Sequence, residues 1–354
     1  MLADPVLTVF AGVFGAMLGS FLNVCVYRLP RNESVIRPRS RCPSCGQPIA
    51  WYDNIPALSW LLLLGRCRAC KARISVQYPL VEVAVGLVWF AGVAQLGMTV
   101  EALRAAVFVT LLLGIALTDA QHYVIPDVFS LGGAAVGVAL SPFTQLGVWR
   151  SALGAALGYG MLAVVKVGGD YAYRRGWIGG ASAARSEGPR GDSGGALPIP
   201  LVAAVSMVLG GAASAGFSYG ATCGTVGTMS VVGAGLGGAL LLGGVAILGV
   251  AAFERGELLV EKVADLYEEG EQVESMGTGD LRLMAMVGAF IGPLGVFATV
   301  FLGSVVGLVA FVPFALRGRN PPIPFGVFLA LGGVAALLGA HGLVACYTNL
   351  LAGP

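Results

Sequence analysis

Leu283-Met284-Ala285-Met286-Val287-Gly288-Ala289-Phe290-Ile291-Gly292-Pro293-Leu294-Gly295 opens an apolar run that continues without a charged side chain to Leu316. A straight helix crosses the roughly 30 Å hydrocarbon core of a bilayer with about 20 residues, so this run is too long for one straight crossing. The Gly292-Pro293-Leu294-Gly295 stretch interrupts it, because proline lacks the N–H that a helical ladder needs and glycine leaves helical dihedrals at little cost. The run therefore reads as a hairpin of two short spans, followed by a last span over about 326–350.

Working outward, comparable apolar stretches lie near 4–27, 79–98, 102–118, 128–142, 150–168, 199–220 and 229–252, which makes ten spans in all. Composition agrees. Of 354 residues, 56% are hydrophobic and 11% charged, and the mean hydropathy is +0.82. A soluble core is excluded by those values, and the fold class is an all-α polytopic membrane protein of about ten transmembrane helices. The 54 glycines suit close helix packing in lipid. A net charge of +2 carries no signature of a nucleic-acid partner; what matters is where the charges fall.

Between the first two spans, Arg28, Arg31, Arg37, Arg39, Arg41, Arg66, Arg68, Lys71 and Arg73 face only Glu33 and Asp53. Basic short loops stay in the cytoplasm, which puts this segment inside and the N-terminus outside. Alternation then brings 119–127, 169–198, 253–282 and 317–325 to the cytoplasmic side, with Arg174, Arg175, Arg255, Lys262, Arg317 and Arg319 in them. No secretory signal peptide is expected, since the first stretch opens with Asp4 and no small-residue cleavage site precedes Arg28. Two regions depart from the apolar background. Residues 176–198 form a Gly/Ser-rich loop, and 254–275 an acidic amphipathic helix whose simplest reading is a solvated face. The organisation that follows is a first transmembrane helix over 1–27, a cytoplasmic four-cysteine domain over 28–78, a membrane domain over 79–176, an insertion with two extra spans over 177–275, and a C-terminal membrane domain over 276–354.

The basic segment holds two Cys-x-x-Cys pairs 22 residues apart, Cys42-Pro-Ser-Cys45-Gly46 and Cys67-Arg-Ala-Cys70-Lys71. Two such knuckles present four thiolates tetrahedrally, the donor set of a structural Zn²⁺ ribbon. Two disulfides are the alternative, disfavoured by a reducing cytoplasm.

Chemistry is sought among acidic groups at span ends, because ionisable groups near hydrocarbon are costly. Asp119 ends the third span, Asp127 follows in Ile125-Pro126-Asp127, and Asp280 closes Met276-Gly277-Thr278-Gly279-Asp280. Asp119 and Asp280 share the cytoplasmic boundary. Two carboxylates that meet there cannot comfortably both ionise, so one keeps a proton while the other acts as base on a water, which is the chemistry of aspartic peptide hydrolysis. Gly277 and Gly279 remove Cβ atoms beside Asp280 and leave room for backbone or an extended substrate. On physical grounds alone the two aspartates equally suit helix caps or the proton path of a transporter.

Several strings resemble the type IV prepilin peptidases: Gly19-Ser20-Phe21-Leu22-Asn23-Val24, Tyr27-Arg28-Leu29-Pro30, and the cysteine pairs with Asp53-Asn54-Ile55-Pro56 and Ser59-Trp60 between them. So do Tyr78-Pro79-Leu80-Val81-Glu82, Asp119 to Asp127, Gly277-Thr278-Gly279-Asp280-Leu281-Arg282 and Pro322-Ile323-Pro324-Phe325-Gly326. The likeness runs in order through the chain except for about 177–275. It implies a bifunctional inner-membrane enzyme that cleaves the basic leader of prepilins or type II secretion pseudopilins on the cytoplasmic side. Such an enzyme then N-methylates the new N-terminus with S-adenosylmethionine. By position, Asp119 and Asp280 match the catalytic aspartates of a GxGD-type protease, and the cysteines match the family's cytoplasmic domain. The methyltransferase activity is implied by this resemblance only, for no glycine-rich strand-turn-helix of a soluble S-adenosylmethionine fold is present.

There are departures. The family commonly has eight spans, whereas 199–220 and 229–252 add a pair, which returns Asp280 to the cytoplasmic side. After the aspartate the family usually reads Val-Lys; here Leu281-Arg282 keeps the charge. Gly168-Gly169-Asp170 lies where an uninterrupted motif would be expected but lacks the spacing. Asp127 is a candidate to polarise the site in catalytic support, though after a proline at a helix start it reads more simply as the N-cap of the fourth span. His122 reads as a solvated loop histidine, and His341, Cys25, Cys223 and Cys346 as packing residues. Glu82 needs a partner, for which a basic residue of the cysteine domain is expected, and Asn23 reads as a helix–helix hydrogen bond. The rival class, a transporter or channel with a zinc-stabilised cap, would need polar residues in mid-span, of which these spans are almost bare.

Overall fold

The computed structural model describes residues 4–174, 276–316 and 324–352. The expected spans 199–220 and 229–252, the Gly/Ser-rich loop, the acidic segment and Cys223 lie outside the described residues, as do the side chains of His341 and Cys346. Among the described residues the regular elements are α1 (Pro5–Arg28), α2 (Leu58–Leu62), α3 (Gln77–Leu96), α4 (Val100–His122), α5 (Asp127–Leu140), α6 (Gly147–Arg174), α7 (Thr278–Leu316) and α8 (Phe325–Ala352), with short 3₁₀ turns and no strand. Five of these, α1, α3, α4, α6 and α7, are long and apolar enough to cross a membrane. Two shorter apolar stretches run over Asp127–Phe143 and Phe325–Gly339. The protein is thus a helical membrane protein.

Local chemistry sets the helix ends. The Asp4 carboxylate accepts from the Val6 N–H (2.8 Å) with Pro5 in the first turn of α1, and Thr99 accepts from Ala102 N–H (3.2 Å) to cap α4. At its other end α4 stops where Tyr123 turns left-handed (φ 52°) and donates its N–H to the Asp119 carbonyl (2.9 Å).

α7 carries the break expected from its sequence, although its helix starts earlier, at Thr278. Gly292 sits at φ 75°, ψ −177°, outside the helical region. Its neighbours show that the chain reverses there. Before the break, Gly279 packs on Ile125 just past the end of α4, and Phe290 stacks on Phe108 further back along it (4.9 Å). α8 runs the same way, with Gly326 beside Asp119 and Gly333 beside Leu112. After the break, Thr299 and Gly303 meet Gly332 and Gly303 meets Phe328, so the second arm runs back.

Pro293 explains a polar feature inside this packing. Lacking an N–H, it leaves the carbonyl four residues earlier, that of Ala289, without its helical donor. Ser151 Oγ (2.7 Å) and Arg104 Nη2 (3.4 Å) donate to that carbonyl instead. The span-edge arginine therefore serves the hairpin.

The core gathers around α4, whose Phe108, Leu112, Ile115 and Leu117 are fully buried against Leu283, Met284 and Met286 of α7, Leu329 of α8 and Val81 and Val85 of α3. Glycines let backbones touch: a Cβ at Gly19 would come within 2.8 Å of Glu82 Cα, and one at Gly288 would overlap the Gly154 carbonyl. These contacts press α1 on α3 and α6 on α7.

Candidate active site and metal centre

Asp119 occupies the last turn of α4 and Asp280 the first turn of α7, and their residues are 6% and 9% exposed. The two carboxylates lie within electrostatic reach of each other. They meet around one side chain, Ile125, in the loop that follows α4. A Cβ on Gly279 would stand 3.0 Å from Ile125 Cβ, and one on Gly326 would stand 2.9 Å from Ile125 Cδ1 and 2.8 Å from Asp119 Oδ2. Both glycines are thus required by close approach. Gly279 admits Ile125 rather than a substrate strand, whereas a Cβ on Gly277 would meet only Asp280 Oδ2 at 3.9 Å, leaving that side open.

The start of α8 completes the site, a role that reading the sequence had not assigned. Helix N-termini carry N–H groups without intrahelical acceptors, and Val327 N–H donates to Asp119 Oδ2 (3.0 Å), joined by the Gly326 N–H. The amides at the start of α8 thereby hold the Asp119 carboxylate in place. The signal available was Pro324-Phe325-Gly326, a helix start with a small residue, but its target lies more than two hundred positions away.

Asp127 is not the N-cap of α5. Pro126 holds that position without a side-chain cap, and the Asp127 carboxylate pairs with Arg282 instead. This ion pair ties the start of α5 to the first turn of α7. His122 is the last residue of α4 and half-buried rather than a solvated loop residue. Asp170 is half-buried near the end of α6. Lys166, one turn earlier on α6, donates to the Met276 carbonyl (2.7 Å) and so anchors the approach to Gly277.

The four cysteines converge in the segment between α1 and α3. The sulfurs of Cys42, Cys45, Cys67 and Cys70 lie within 4.8 Å of one another, and all four are free thiols. The knuckles are built alike. Cys42 N–H bonds the Gln47 carbonyl and Cys67 N–H the Ala72 carbonyl, while Gly46 and Lys71 donate back to Cys42 and Cys67. Gly46 (φ 71°) and Lys71 (φ 60°) make the same left-handed turn. Cys42 and Cys70 sulfurs stand 3.8 Å apart, which matches the ~3.8 Å edge of a tetrahedron built on Zn–S bonds of ~2.3 Å. At Cys42 burial opposes ionisation, yet amides of Cys45 and Ser44 aimed at the sulfur, joined by the neighbouring thiols, bring it down to about 7. At Cys70 the Ala72 amide is outweighed by burial and the same thiol contacts, which push it up to about 11. The donors fit a thiophilic metal ion.

Asp53 braces the second knuckle by accepting from Arg68 at 2.6 and 2.7 Å, and this guanidinium holds its carboxyl below the usual range. Glu82 does not pair with a basic residue of this segment. Its Oε2 accepts from the Ala57 N–H (2.7 Å), with Ser20 as a further donor. The Asn23 side chain donates to the Tyr78 carbonyl (3.1 Å), a helix–helix bond as read, and Cys25 packs in the core.

Residues 13–96 match the family described as Bacterial Peptidase A24 N-terminal domain, and residues 106–183 match the Type IV leader peptidase family. The second match covers Asp119 and Asp127 and ends before Asp280. The chain is similar to a protein of Stutzerimonas stutzeri named prepilin leader peptidase/N-methyltransferase, 32% identical over 362 residues that span 95% of this chain and 91% of the relative. A Pseudomonas putida protein of the same name is 28% identical over 96% of this chain and 93% of its own length. One from Myxococcus xanthus reaches 47% identity over 156 residues, 44% of this chain and 47% of that protein. No solved structure gives a match.

Proposed function

We propose, starting from the premise that this chain belongs to the type IV leader peptidase family, that Asp119 and Asp280 form the catalytic pair of a prepilin leader peptidase/N-methyltransferase. The enzyme cleaves the leader of a prepilin at the membrane face and methylates the new N-terminus. The observation that carries the reading is the meeting of Asp119 and Asp280 around Ile125 and Gly326, two membrane-boundary carboxylates brought together from distant parts of the chain.

In the reaction the ionised carboxylate takes a proton from water as the water oxygen attacks the scissile carbonyl carbon. The protonated partner donates to the carbonyl oxygen, and the C–N bond then breaks as the leaving amine takes a proton. Gly277 leaves the substrate backbone its approach to Asp280, while Asp127 and Arg282 hold α5 against α7. The excess of basic residues in 28–76 supports a cytoplasmic position for this face and an outside N-terminus, in a bacterial inner membrane. Zinc is the metal we assign to Cys42, Cys45, Cys67 and Cys70.

The methyl donor of an N-methyltransferase of this family is S-adenosylmethionine, a sulfonium cation. The groove beside the second knuckle, about 340 Å³ and lined by Leu63, Leu64, Arg66, Cys67 and Lys71, offers cations for that cofactor's carboxylate but no carboxylate for its ammonium and sulfonium groups. It meets only part of the cofactor's chemistry, and no residue is assigned to it. The test of the whole reading is co-expression with one prepilin or pseudopilin and intact-mass measurement. Loss of the leader plus 14 mass units on the new N-terminus is expected; an unprocessed prepilin beside folded enzyme overturns it.

A further inference from the structure

The segment between α1 and α3 presents an apolar face that neither the cysteines nor the carboxylates use. In α2 the side chains divide by helical phase. Ser59 is buried, accepting from the Ile55 N–H and donating to the Tyr52 carbonyl (both 3.0 Å). Trp60 donates its indole N–H to the Ile74 carbonyl (3.1 Å), with its ring against Gly65. Leu58, Leu61 and Leu62, which share the opposite arc at i, i+3 and i+4, are 49%, 60% and 74% exposed. Leu64 and Trp51 add 83% and 74%. So dense an apolar face on so small a polar domain marks an interaction surface.

Position and charge name the occupant. Ala57, the residue immediately before α2, is bonded to Glu82 in the second turn of α3, so α2 begins beside the end of a membrane-capable helix. Both ends of the segment continue into such helices, α1 and α3, so it stays at the bilayer surface. Residues 28–76 carry nine basic side chains against Glu33 and Asp53; Arg28 is buried on the Ser34 carbonyl and Arg68 pairs with Asp53, which leaves the segment a clear excess of positive charge. Apolar side chains and tryptophan beside clustered Lys and Arg are the chemistry of a surface that sinks into the headgroup layer of an anionic bilayer. We infer that Leu58, Leu61, Leu62, Leu64 and Trp51 dock the four-cysteine domain into the interfacial layer of the leaflet on its own side, with its arginines on anionic phospholipid headgroups. The inference is independent of the peptidase reading.

The test places p-benzoylphenylalanine at position 62 of the full chain in nanodiscs of phosphatidylethanolamine and phosphatidylglycerol. After irradiation, the peptide containing position 62 is expected to carry the mass of one phospholipid, with the yield falling at least threefold when phosphatidylcholine replaces both lipids. Cross-links to a second copy or to added prepilin, no adduct at all, or a yield indifferent to lipid charge would overturn the docking proposed. A second measurement guards against misfolding. Leu61→Glu with Leu62→Glu should speed tryptic cleavage between Arg66 and Arg73 at least tenfold in nanodiscs while the bound zinc is retained, and unchanged cleavage with zinc retained counts against the docking.

Discussion

The carboxylate pair, drawn from four helices, and the cysteine cluster, drawn from two knuckles of one segment, are assembled in opposite ways. The cysteines lie within 29 residues of one another, Cys42 to Cys70, and their two knuckles are closed by hydrogen bonds of short range. Asp119 and Asp280 come together only because α4, α5, α7 and α8 pack on a common core, with Gly326 and Val327 supplying the last contacts from a fourth helix. A local site depends on its own ligands and its metal; a long-range site depends on the fit of everything around it. Glu82 of α3 bonds the Ala57 N–H, which gives the cysteine segment a fixed footing on the membrane helices.

The sharpest break of that comparison removes a carboxylate. Asp119→Asn and Asp280→Asn keep shape and leave the knuckles alone, so each should lower leader cleavage by about 10²–10⁴-fold with bound zinc unchanged, the range spanned by a lost acid or base. Asp170→Asn should cleave like the parent enzyme. Quantified mass spectrometry of the prepilin decides it, and a silent Asp280→Asn beside a dead Asp170→Asn would reassign the site to α6.

Removing the metal tests the other half. With Cys42→Ser and Cys45→Ser together, bound zinc should fall from one per chain to none, since the binding free energy of such a site is also its folding free energy. Methylation, normalised to folded protein, should fall further than cleavage, which should stay within about tenfold of the parent if the metal takes no part in the acid–base step. Complete loss of cleavage in a folded, zinc-free variant would join the two sites into one.

Gly326→Ala probes how the long-range site depends on fit. Its new Cβ would stand 2.8 Å from Asp119 Oδ2 and 2.9 Å from Ile125 Cδ1, so the start of α8 must shift away and weaken the Val327 bond. Misplacement on this scale should cost about 10²-fold in kcat, with KM and zinc content nearly unchanged. Gly277→Ala, where the nearest atom is 3.9 Å off, should leave the fold and zinc content unchanged and raise KM rather than lower kcat, because its Cβ would stand in the approach of the substrate backbone.

How much could be read beforehand follows from the same contrast. The convergence of the four cysteines was legible because Cys-x-x-Cys spacing is itself ligand geometry, and the hairpin was legible because Gly292-Pro293 cannot continue a helix. The pairing of Asp119 with Asp280 rested on resemblance, since nothing local to either residue names its partner. Three assignments depended wholly on tertiary packing: the amides of α8 on Asp119, the turn of Asp127 away from capping toward Arg282, and the Ala57 amide as partner of Glu82. In each the sequence showed a group that needed a partner, and the partner was chosen by helices whose mutual placement no local pattern encodes.

The smallest effect is expected where the long-range site meets solvent. The Asp127–Arg282 pair joins α5 to α7, but the two side chains are 57% and 36% exposed, and ion pairs in such settings contribute only about 0–1 kcal/mol. Asp127→Asn and Arg282→Gln should therefore each lower cleavage by no more than about fivefold, the rate equivalent of that energy. If the pair acts as one brace, the double variant should be no worse than either single one, a coupling that a double-mutant cycle measures directly. Additive losses would mean that the residues act separately, with Arg282 engaging the substrate and Asp127 serving α5 alone. A loss above a hundredfold in either single variant would place that residue among the reacting groups and make the long-range site larger than two carboxylates.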